Sequence, residues 1–586
     1  MQEENLNLRS LKIGCLPIID RFIERMGLKD RLSKALSNSG YAEAIIILLK
    51  NILTEREAMY ALKQWAYLFD LKLDDGSEIG DDRLGRALER LFDADRATLQ
   101  TEIVLKIIKA FDLKMDQIHN DTTSVSAYGV YEKQDDKAIK LKRGHSKDHR
   151  PDLKQLVYSL CVTRDGAVPV HFKCYDGNRT DDTIQLETWN SLRVLLQTPN
   201  FIYVGDSKIC VEKSMRKIDG EHGFFVTMVP RTRAEVAEFA EGLAAGNVVW
   251  EHCLRKRFQR NGSEFDTFDV AEGYYQLREG FRVFWFKSSQ KKKKDAHART
   301  ARLQKATRKL EGMDLRRLRG PKTESAVRNR IDSILTRYHV SDYLRVEIEM
   351  EAEEEFKALT RGKPTSQTKY RKVTKKTPCL RIHRNAEAIT RAQLMDGIFP
   401  LTTNTKEKAL EVLKIYKYQP TLEKRHSLLK STFEVAPMWL KKNSRIEALM
   451  FVEYLAQMVA ALIERELRNE MANKKIDWLE SLPEGRNSKT PTFEHLLRLF
   501  ENRHRHELLE KNRPVKVFTE PLTKVQDPPH HQPPPAPSPA PSRTAGPGRA
   551  SAPAAPGRSA PALPAARRRP GPRSRPAAGR PGSATR

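Results

Sequence analysis

Two aspartates each follow a run of apolar residues, and together they could bind metal ions. Asp121 lies in the segment HNDTTS and Asp206 in YVGDSK, and each segment closes a predicted β-strand. Paired carboxylates that hold two Mg²⁺ ions suit phosphoryl transfer, because the metals activate a water or a 3′-hydroxyl and stabilise the leaving oxygen. A single aspartate after a strand is more often a turn or cap residue. Two of them on neighbouring strands favour a shared metal site.

A third acid lies in a predicted helix within the segment IYKYQPTLEKRHSLLKS. Pro420 suits the first turn of a helix, and the positive end of the helix dipole there favours a carboxylate such as Glu423. Lys430 follows seven residues after Glu423, on the same face and two turns away. Glu423 could then reach a metal ion while Lys430 reaches a DNA phosphate. Taken alone, the same pattern is also typical of an ordinary solvent-exposed Glu–Lys face.

The spacing in this segment resembles a known signature. Tyr416, Gln419, Glu423 and Lys430 match the Tyr-Arg-Glu-Lys signature of bacterial insertion-sequence DDE transposases in spacing, and in type at three of four positions. The flanking sequences DGIFPLTTN and RIEALMFVEYLAQMVAAL, with IGCLPIIDRFIERMGLKD near the start, resemble the IS-four superfamily in its IS-sixteen-thirty-four-like branch. The resemblance covers about residues 10–470. Gln419 replaces the signature arginine, so it can offer a phosphate only a neutral hydrogen bond.

The resemblance implies a transposase that performs cut-and-paste DNA transposition. It would use metal-dependent endonuclease cleavage at terminal inverted repeats, followed by strand transfer to target DNA. Asp121, Asp206 and Glu423 would be the catalytic residues and the ligands of two Mg²⁺ ions, for which Mn²⁺ can substitute. Tyr416, Gln419 and Lys430 would contact the double-stranded DNA. A synapsed homodimer would act in the bacterial cytoplasm, at the nucleoid and without a membrane partner.

Two other functions are open on the sequence alone. A catalytically impaired or domesticated relative would bind DNA without cutting it, and the substitution at Gln419 favours this alternative. An RNA-directed nuclease with the same core would also need the acids, although it would have no use for the Tyr–Glu–Lys helix.

The elements that would position these residues predict an α/β protein. The resemblance implies an RNase H-like catalytic core, a mixed sheet flanked by helices and interrupted by a large basic insertion. The pattern after the N-terminal helices is a strand, a hairpin around Asp165-Gly166, and then alternating helices and strands. Parallel pairing with helical crossovers is expected after the antiparallel hairpin.

The composition and periodicity predict six portions of the chain. They are a helical N-terminal domain for DNA-end binding or dimerisation (1–114), the first part of the catalytic core (115–230), the basic insertion (231–395), the second part of the core with the Glu-bearing helix (396–470), a helical C-terminal region (471–526) and a disordered Pro/Ala/Arg-rich tail (527–586).

The positive charge has two main concentrations. The chain of 586 residues carries a formal net charge of +28, which favours a polyanionic partner. The tail from Asp527 holds ten arginines against one acid and could be a basic tether or an incidental extension. The second concentration, from Ser288 to His339, predicts two basic amphipathic helices. It opens with four lysines that are expected to contact DNA phosphates, Lys291, Lys292, Lys293 and Lys294.

Several classes of protein are disfavoured. No run of 18 consecutive apolar residues predicts a transmembrane helix, and the segment MQEENLNLRS has no apolar core of a secretory signal. The six cysteines are scattered without a CxxC pair, which fits free thiols and argues against a zinc module.

Overall fold

Helices fill the N-terminal portion, as the apolar periodicity predicts. The computed structural model describes residues 6–526 apart from 133, 149, 258–262, 314–323, 360, 361, 364, 367, 436–439, 483–485, 512 and 524, so the predicted disordered tail (527–586) lies outside the described residues. Strand β1 (Leu6–Lys12) precedes α1 (Leu16–Met26), α2 (Leu28–Leu36), α3 (Ser39–Leu53), α4 (Leu62–Leu68), α5 (Asp81–Asp93) and α6 (Arg96–Phe111). Gly27, with φ 60°, ends α1 in the left-handed conformation that glycine adopts without strain, so α2 can begin at the next residue.

The central sheet opens with antiparallel strands and continues with parallel ones. Strands β2 (Gln117–Ala127), β3 (Lys154–Thr163) and β4 (Pro169–Asp176) pair antiparallel, and the turn at Asp165-Gly166 joins β3 to β4. Helix α7 (Asp181–Leu196) then leads to β5 (Ile202–Gly205), and α8 (Glu212–Gly220) leads to β6 (Phe224–Met228). Because β5 pairs parallel with both β2 and β6, the predicted helical crossovers and mixed sheet are confirmed.

Part of the predicted insertion belongs to this same sheet. After α9 (Ala234–Ala244), strands β7 (Glu251–Arg257), β8 (Phe265–Glu272) and β9 (Arg282–Ser288) form an antiparallel meander. A later strand, β12 (Ile398–Thr403), pairs antiparallel with β6 on one side and β9 on the other. The order of the described strands is β4-β3-β2-β5-β6-β12-β9-β8-β7. Pairing through β12 therefore makes three strands of the region 231–395 part of the central sheet, while the expected insertion stays a prediction.

The remainder of the region 231–395 has an apolar cluster of its own. It consists of α10 (Ser289–Glu311), α11 (Glu324–Arg337), β10 (Leu344–Ala358), β11 (Tyr370–Arg384) and α12 (Ala386–Leu394). The helices α10 and α11 match the two predicted basic amphipathic helices, and their apolar faces pack through Leu303, Leu310, Ile331 and Leu335. The long strands β10 and β11 pair antiparallel with each other.

One long helix runs through the middle of the main core. After α13 (Ala409–Tyr416) and α14 (Gln419–Ser427), a π-helical turn (Leu428–Thr432) precedes α15 (Asn443–Asn473). By length and composition α15 could cross a membrane, but 94% of its most apolar window is buried inside the protein. It packs against α3, α5 and β4, so it is the central helix of a core that the N-terminal helices share with the sheet.

The C-terminal region differs from its predicted helical structure. Residues 471–526 contain β13 (Leu479–Leu482), β14 (Arg486–Ser488), α16 (Phe493–Phe500), β15 (His504–Glu510) and β16 (Arg513–Thr519). Strand β15 pairs antiparallel with β1 and with β16. The partner strand β1 lies at the opposite end of the chain, so no local sequence pattern could indicate this pairing.

A buried ion pair fixes α14 to the rest of the core. Arg425 on α14 bonds Glu464 on α15 at 2.8 Å, and both side chains are nearly inaccessible to solvent. The same guanidinium donates to the carbonyl oxygens of Gly166 and Ala167 in the β3–β4 turn, each at 3.0 Å. Glu464 also accepts the backbone N–H of Phe493 at 2.9 Å. These bonds hold the helix that carries Glu423 against both α15 and the sheet.

We expect the substitution Arg425→Met to lower the free energy of unfolding by about 3–5 kcal/mol, because it leaves the buried Glu464 carboxylate without a counter-charge. Urea denaturation followed by circular dichroism measures the change. The control is Lys424→Met on the exposed neighbouring position, which should cost less than about 0.5 kcal/mol. Equal losses in the two variants would contradict an anchoring role for Arg425.

Candidate active site

The register between two parallel strands sets the first two acids side by side. Gln117 pairs with Ile202 and His119 with Val204. Extending that register by two residues sets Asp121 beside Asp206, and neighbouring strands are only about 4.8 Å apart. Asp206 directly follows the end of β5, as predicted, whereas Asp121 lies midway along β2, which continues to Ala127 in its pairing with β3. The Asp121 side chain is partly accessible, at 23% exposure, within an otherwise buried strand.

Helix α14 brings the third acid to the same place. Its first residue, Gln419, donates from Nε2 to the carbonyl oxygen of Asn120 at 2.9 Å. Pro420 lies in the first turn, as the sequence predicts. Glu423 is four residues after Gln419, so it lies on the same face of the helix, one turn further along.

The pKa of Asp121 reflects the proximity of the other two acids. Burial raises its pKa from 3.8 to about 6, and the negative charges of Asp206 and Glu423 add to the increase. The positive charge of Lys147 and the backbone N–H of Thr122 act in the opposite direction. The three carboxylates are therefore close enough to interact electrostatically.

Tyr416 faces the same three acids from the end of α13. Burial, followed by the charges of Asp206, Glu423 and Asp121, raises its pKa to about 12. Its hydroxyl donates to the sulfur of Met228 at 3.8 Å. Tyr416 thus presents a protonated hydroxyl beside the acids at neutral pH.

The chemistry of the three carboxylates fits a hard divalent cation, since Mg²⁺ prefers oxygen ligands and would relieve their mutual repulsion. Across the described parts of the chain, no three His, Cys, Asp or Glu side chains are close enough together to form a ready-made metal-binding group. The acids therefore share an electrostatic environment without forming a complete coordination sphere.

Gln419 makes different contacts from those expected of a DNA-binding residue. Its side chain is buried, and its Oε1 accepts a hydrogen bond from Nδ1 of His119 at 2.8 Å. Because a carbonyl oxygen can only accept, Nδ1 of His119 carries the proton, and its Nε2 accepts from the amide of Gln117 at 2.6 Å. Gln419 therefore fixes α14 to β2, and its expected contact with a DNA phosphate stays a prediction. An arginine at this position could not accept the bond from His119.

Lys430 reaches the loop that joins β2 to β3. It lies in the π-helical turn, and its Nζ donates to Asp148 at 2.6 Å. Lys147, which precedes Asp148 in the loop, has its Nζ 3.7 Å from Oδ1 of Asp121 and 3.1 Å from the hydroxyl of Thr122. Sequence reasoning missed Lys147 and Asp148. The only local signal was the charged cluster SKDHR in an otherwise ordinary loop.

His426 is a third residue that the sequence did not reveal. It lies on α14, buried, with Nε2 3.7 Å from Oδ2 of Asp121. Burial, with the nearby charges of Lys147 and Lys430, lowers its pKa to about 3. His426 is therefore neutral at physiological pH, and its contact with Asp121 is not an ion pair.

The four predicted DNA-binding lysines lie in the first two turns of α10. Ser288 caps the helix by accepting the N–H of Lys291 at 3.0 Å. Lys291 pairs with Asp295 at 2.9 Å, and Lys293 pairs with Glu264 at 3.4 Å.

Lys417, the residue that follows Tyr416, is close enough to Lys291 and Lys294 to interact with their charges. The Nζ of Lys417 lies 4.7 Å from the ring centre of Phe268. Burial lowers its pKa, and the positive charges of Lys256, Lys291 and Lys294 lower it further, against the opposing effect of Asp266. A positively charged surface therefore borders the three acids.

Comparisons with known proteins give little further information. The chain matches no family model, and no curated protein matches its sequence. Among solved structures, it is similar to a cryo-EM structure of the piggyBac transposase synaptic complex with hairpin DNA. The two share 10% sequence identity over 81% of this chain and 92% of that chain, with a TM-score of 0.24. This likeness is too distant to define the fold or the family.

We expect Gln419→Arg to lower the free energy of unfolding by about 1–3 kcal/mol, because it removes the acceptor of a buried hydrogen bond. Chemical denaturation measures the loss. Ser427→Arg, which adds the same side chain at an exposed position of α14, should change stability by less than about 0.5 kcal/mol. If both variants were as stable as the wild type, the structural role of Gln419 would be refuted.

The buried His119 predicts a dependence of stability on pH. Burial lowers its pKa from 6.5 to about 4, so the unfolded chain binds its proton at higher pH than the native protein does. The stability due to neutral His119 is complete above about pH 6.5 and is lost as the pH falls towards 4. We expect His119→Gln to reduce this decline by up to about 3 kcal/mol, measured as the free energy of unfolding from pH 7 to 4. The control is His297→Gln, since that side chain is exposed in the native state.

Proposed function

We propose that this chain is a DDE transposase that cuts DNA at the terminal inverted repeats of a mobile element and joins the ends to target DNA. The observation that carries the proposal is the register that sets Asp121 beside Asp206, with Glu423 held over them by α14. Two acids on neighbouring parallel strands and a third on a crossing helix form a suitable ligand set for phosphodiester chemistry. The mixed sheet, with its antiparallel opening and helical crossovers, supports an RNase H-like core.

The acids and their neighbours would have separate tasks. Asp121, Asp206 and Glu423 would hold two Mg²⁺ or Mn²⁺ ions, which when bound would activate a water or a 3′-hydroxyl and stabilise the leaving oxygen. Tyr416 would donate its protonated hydroxyl to the terminal DNA. Lys430 would contact a backbone phosphate after exchanging its present partner, Asp148.

The basic surface beside the acids would hold the DNA backbone. Several phosphates can be neutralised, irrespective of sequence, by Lys417 next to Tyr416 and by the lysines in the first two turns of α10, Lys291, Lys292, Lys293 and Lys294. A charge of +28 over the whole chain supports the same kind of partner.

The finer identity rests on the resemblance of the Tyr416–Lys430 segment to the insertion-sequence signature. We propose that the chain belongs to the IS-four superfamily, in its IS-sixteen-thirty-four-like branch. It would act as a synapsed homodimer on double-stranded DNA, in the cytoplasm at the bacterial nucleoid. A DNA-binding relative that no longer cleaves is the second candidate, because Gln419 is buried and the carboxylates are not preformed as a metal-binding group.

The activity can be measured by nicking of supercoiled plasmid in Mn²⁺ and by cleavage of the DNA that flanks the gene in Mg²⁺. We expect Asp206→Asn to reduce both by at least about 100-fold, because it removes a metal ligand. Asp136→Asn, at an exposed carboxylate outside the site, should retain full activity.

The outcomes separate the candidate functions. Undiminished cleavage by Asp206→Asn would refute the assignment of the acids. End-specific binding without nicking by the wild type would favour the non-cleaving relative. Preferential cleavage of RNA–DNA hybrids over the flanking DNA would indicate an RNA-directed nuclease instead.

A further inference from the structure

The loop of residues 144–148, between β2 and β3, is held firmly against the candidate site. A Cβ at residue 144 would collide with the carbonyl oxygen of Gly177, so only glycine fits there. Gln155 donates to the carbonyl oxygen of His145 at 3.2 Å, and the N–H of Lys147 donates to the hydroxyl of Ser124 at 2.9 Å. These bonds position the adjacent side chains of Lys147 and Asp148 beside the candidate site.

Each of these two side chains contacts a residue of opposite charge in the site. Lys147 extends its ammonium to the carboxylate of Asp121 and also donates to the carbonyl oxygen and hydroxyl of Thr122. Asp148 extends its carboxylate to the ammonium of Lys430. A cation therefore lies beside Asp121, one of the three acids, and an anion lies beside Lys430.

We propose that Lys147 and Asp148 are a built-in placeholder, in which the ammonium stands in for the cation and the carboxylate for a DNA phosphate until DNA and metal displace them. This inference rests on the proposed function of the site. Both contacts are partly exposed, with 38% of the Lys147 side chain and 35% of the Asp148 side chain accessible. Exposed ion pairs are weak, so a polyanion or a divalent ion can displace them.

The first test measures DNA affinity without divalent ions. Fluorescence anisotropy with a duplex of arbitrary sequence compares full-length wild type, Asp148→Asn and Asp152→Asn. Asp152 is the matched control, because it pairs with Arg150 near the same loop and its loss changes the net charge equally. We expect Asp148→Asn to tighten DNA binding about 3- to 10-fold more than Asp152→Asn, since Lys430 becomes available to a phosphate. The slope of log affinity against log salt concentration should become steeper by about one, as expected for one further released counterion.

A double-mutant comparison shows whether the effect passes through Lys430. In a Lys430→Met background, the extra gain from Asp148→Asn should disappear. Equal gains from Asp148→Asn and Asp152→Asn, or a gain that persists without Lys430, would overturn the phosphate half of the proposal.

The second test measures Mn²⁺ binding by calorimetry in the absence of DNA. We expect Lys147→Met to bind Mn²⁺ about 10-fold more tightly than the wild type, because a competing positive charge is removed. Lys147→Arg keeps the charge and should bind like the wild type. Lys142→Met, which removes an equal charge paired with Asp176, should also leave the affinity unchanged.

The failures are distinguishable. Equal Mn²⁺ affinity in the wild type and a folded Lys147→Met variant would overturn the placeholder and leave the metal site intact. Binding by none of the variants would overturn the metal site as well. If Lys147→Met does not fold, Lys147→Gln provides the same comparison.

Discussion

The confinement of three negative charges to one small area is the constraint on which the rest of the site depends. Asp121, Asp206 and Glu423 repel one another, and burial of Asp121 strengthens the effect, as its raised pKa indicates. A protein holds such groups together only where other interactions oppose the repulsion. Here the opposing interactions are the backbone pairing of β2 with β5, the hydrogen bond of Gln419 to β2, and the nearby charge of Lys147.

Two sets of interactions, one behind the other, hold the helix that carries Glu423 in place. Gln419 and His119 join α14 to the strand that carries Asp121. Behind them, Arg425 and Glu464 join the same helix to α15 and to the β3–β4 turn through a buried ion pair. Because α15 is the central helix of the main core, the position of Glu423 is coupled to the packing of the whole domain. Helix α10, which begins with the four lysines, is supported differently, by the cap at Ser288 and by a buried Arg299–Asp396 pair at 2.6 Å.

Local patterns predicted the elements that depend on local physics. The N-terminal helices follow from apolar periodicity, the hairpin from Asp165-Gly166, and the start of α14 from Pro420. The candidate acids were also accessible from sequence, because each lies where an apolar element meets a polar cluster. Long-range pairings were not predictable in this way: β1 joins β15 across almost the entire described chain, and β12 joins β6 to β9. For that reason the sequence predicts a helical region at 471–526 and does not reveal the strands β7, β8 and β9 within residues 231–395.

The sequence by itself determined which chemical groups the chain can offer: three carboxylates, a tyrosine and a set of lysines. Only the tertiary structure decided which of these groups face one another. It buried Gln419 against His119, and it set Lys147 and Asp148 against Asp121 and Lys430. The physical reason is that residue type and spacing determine charge and helical face, whereas the partner of a side chain depends on strand register and on loops closed by residues far apart in the chain.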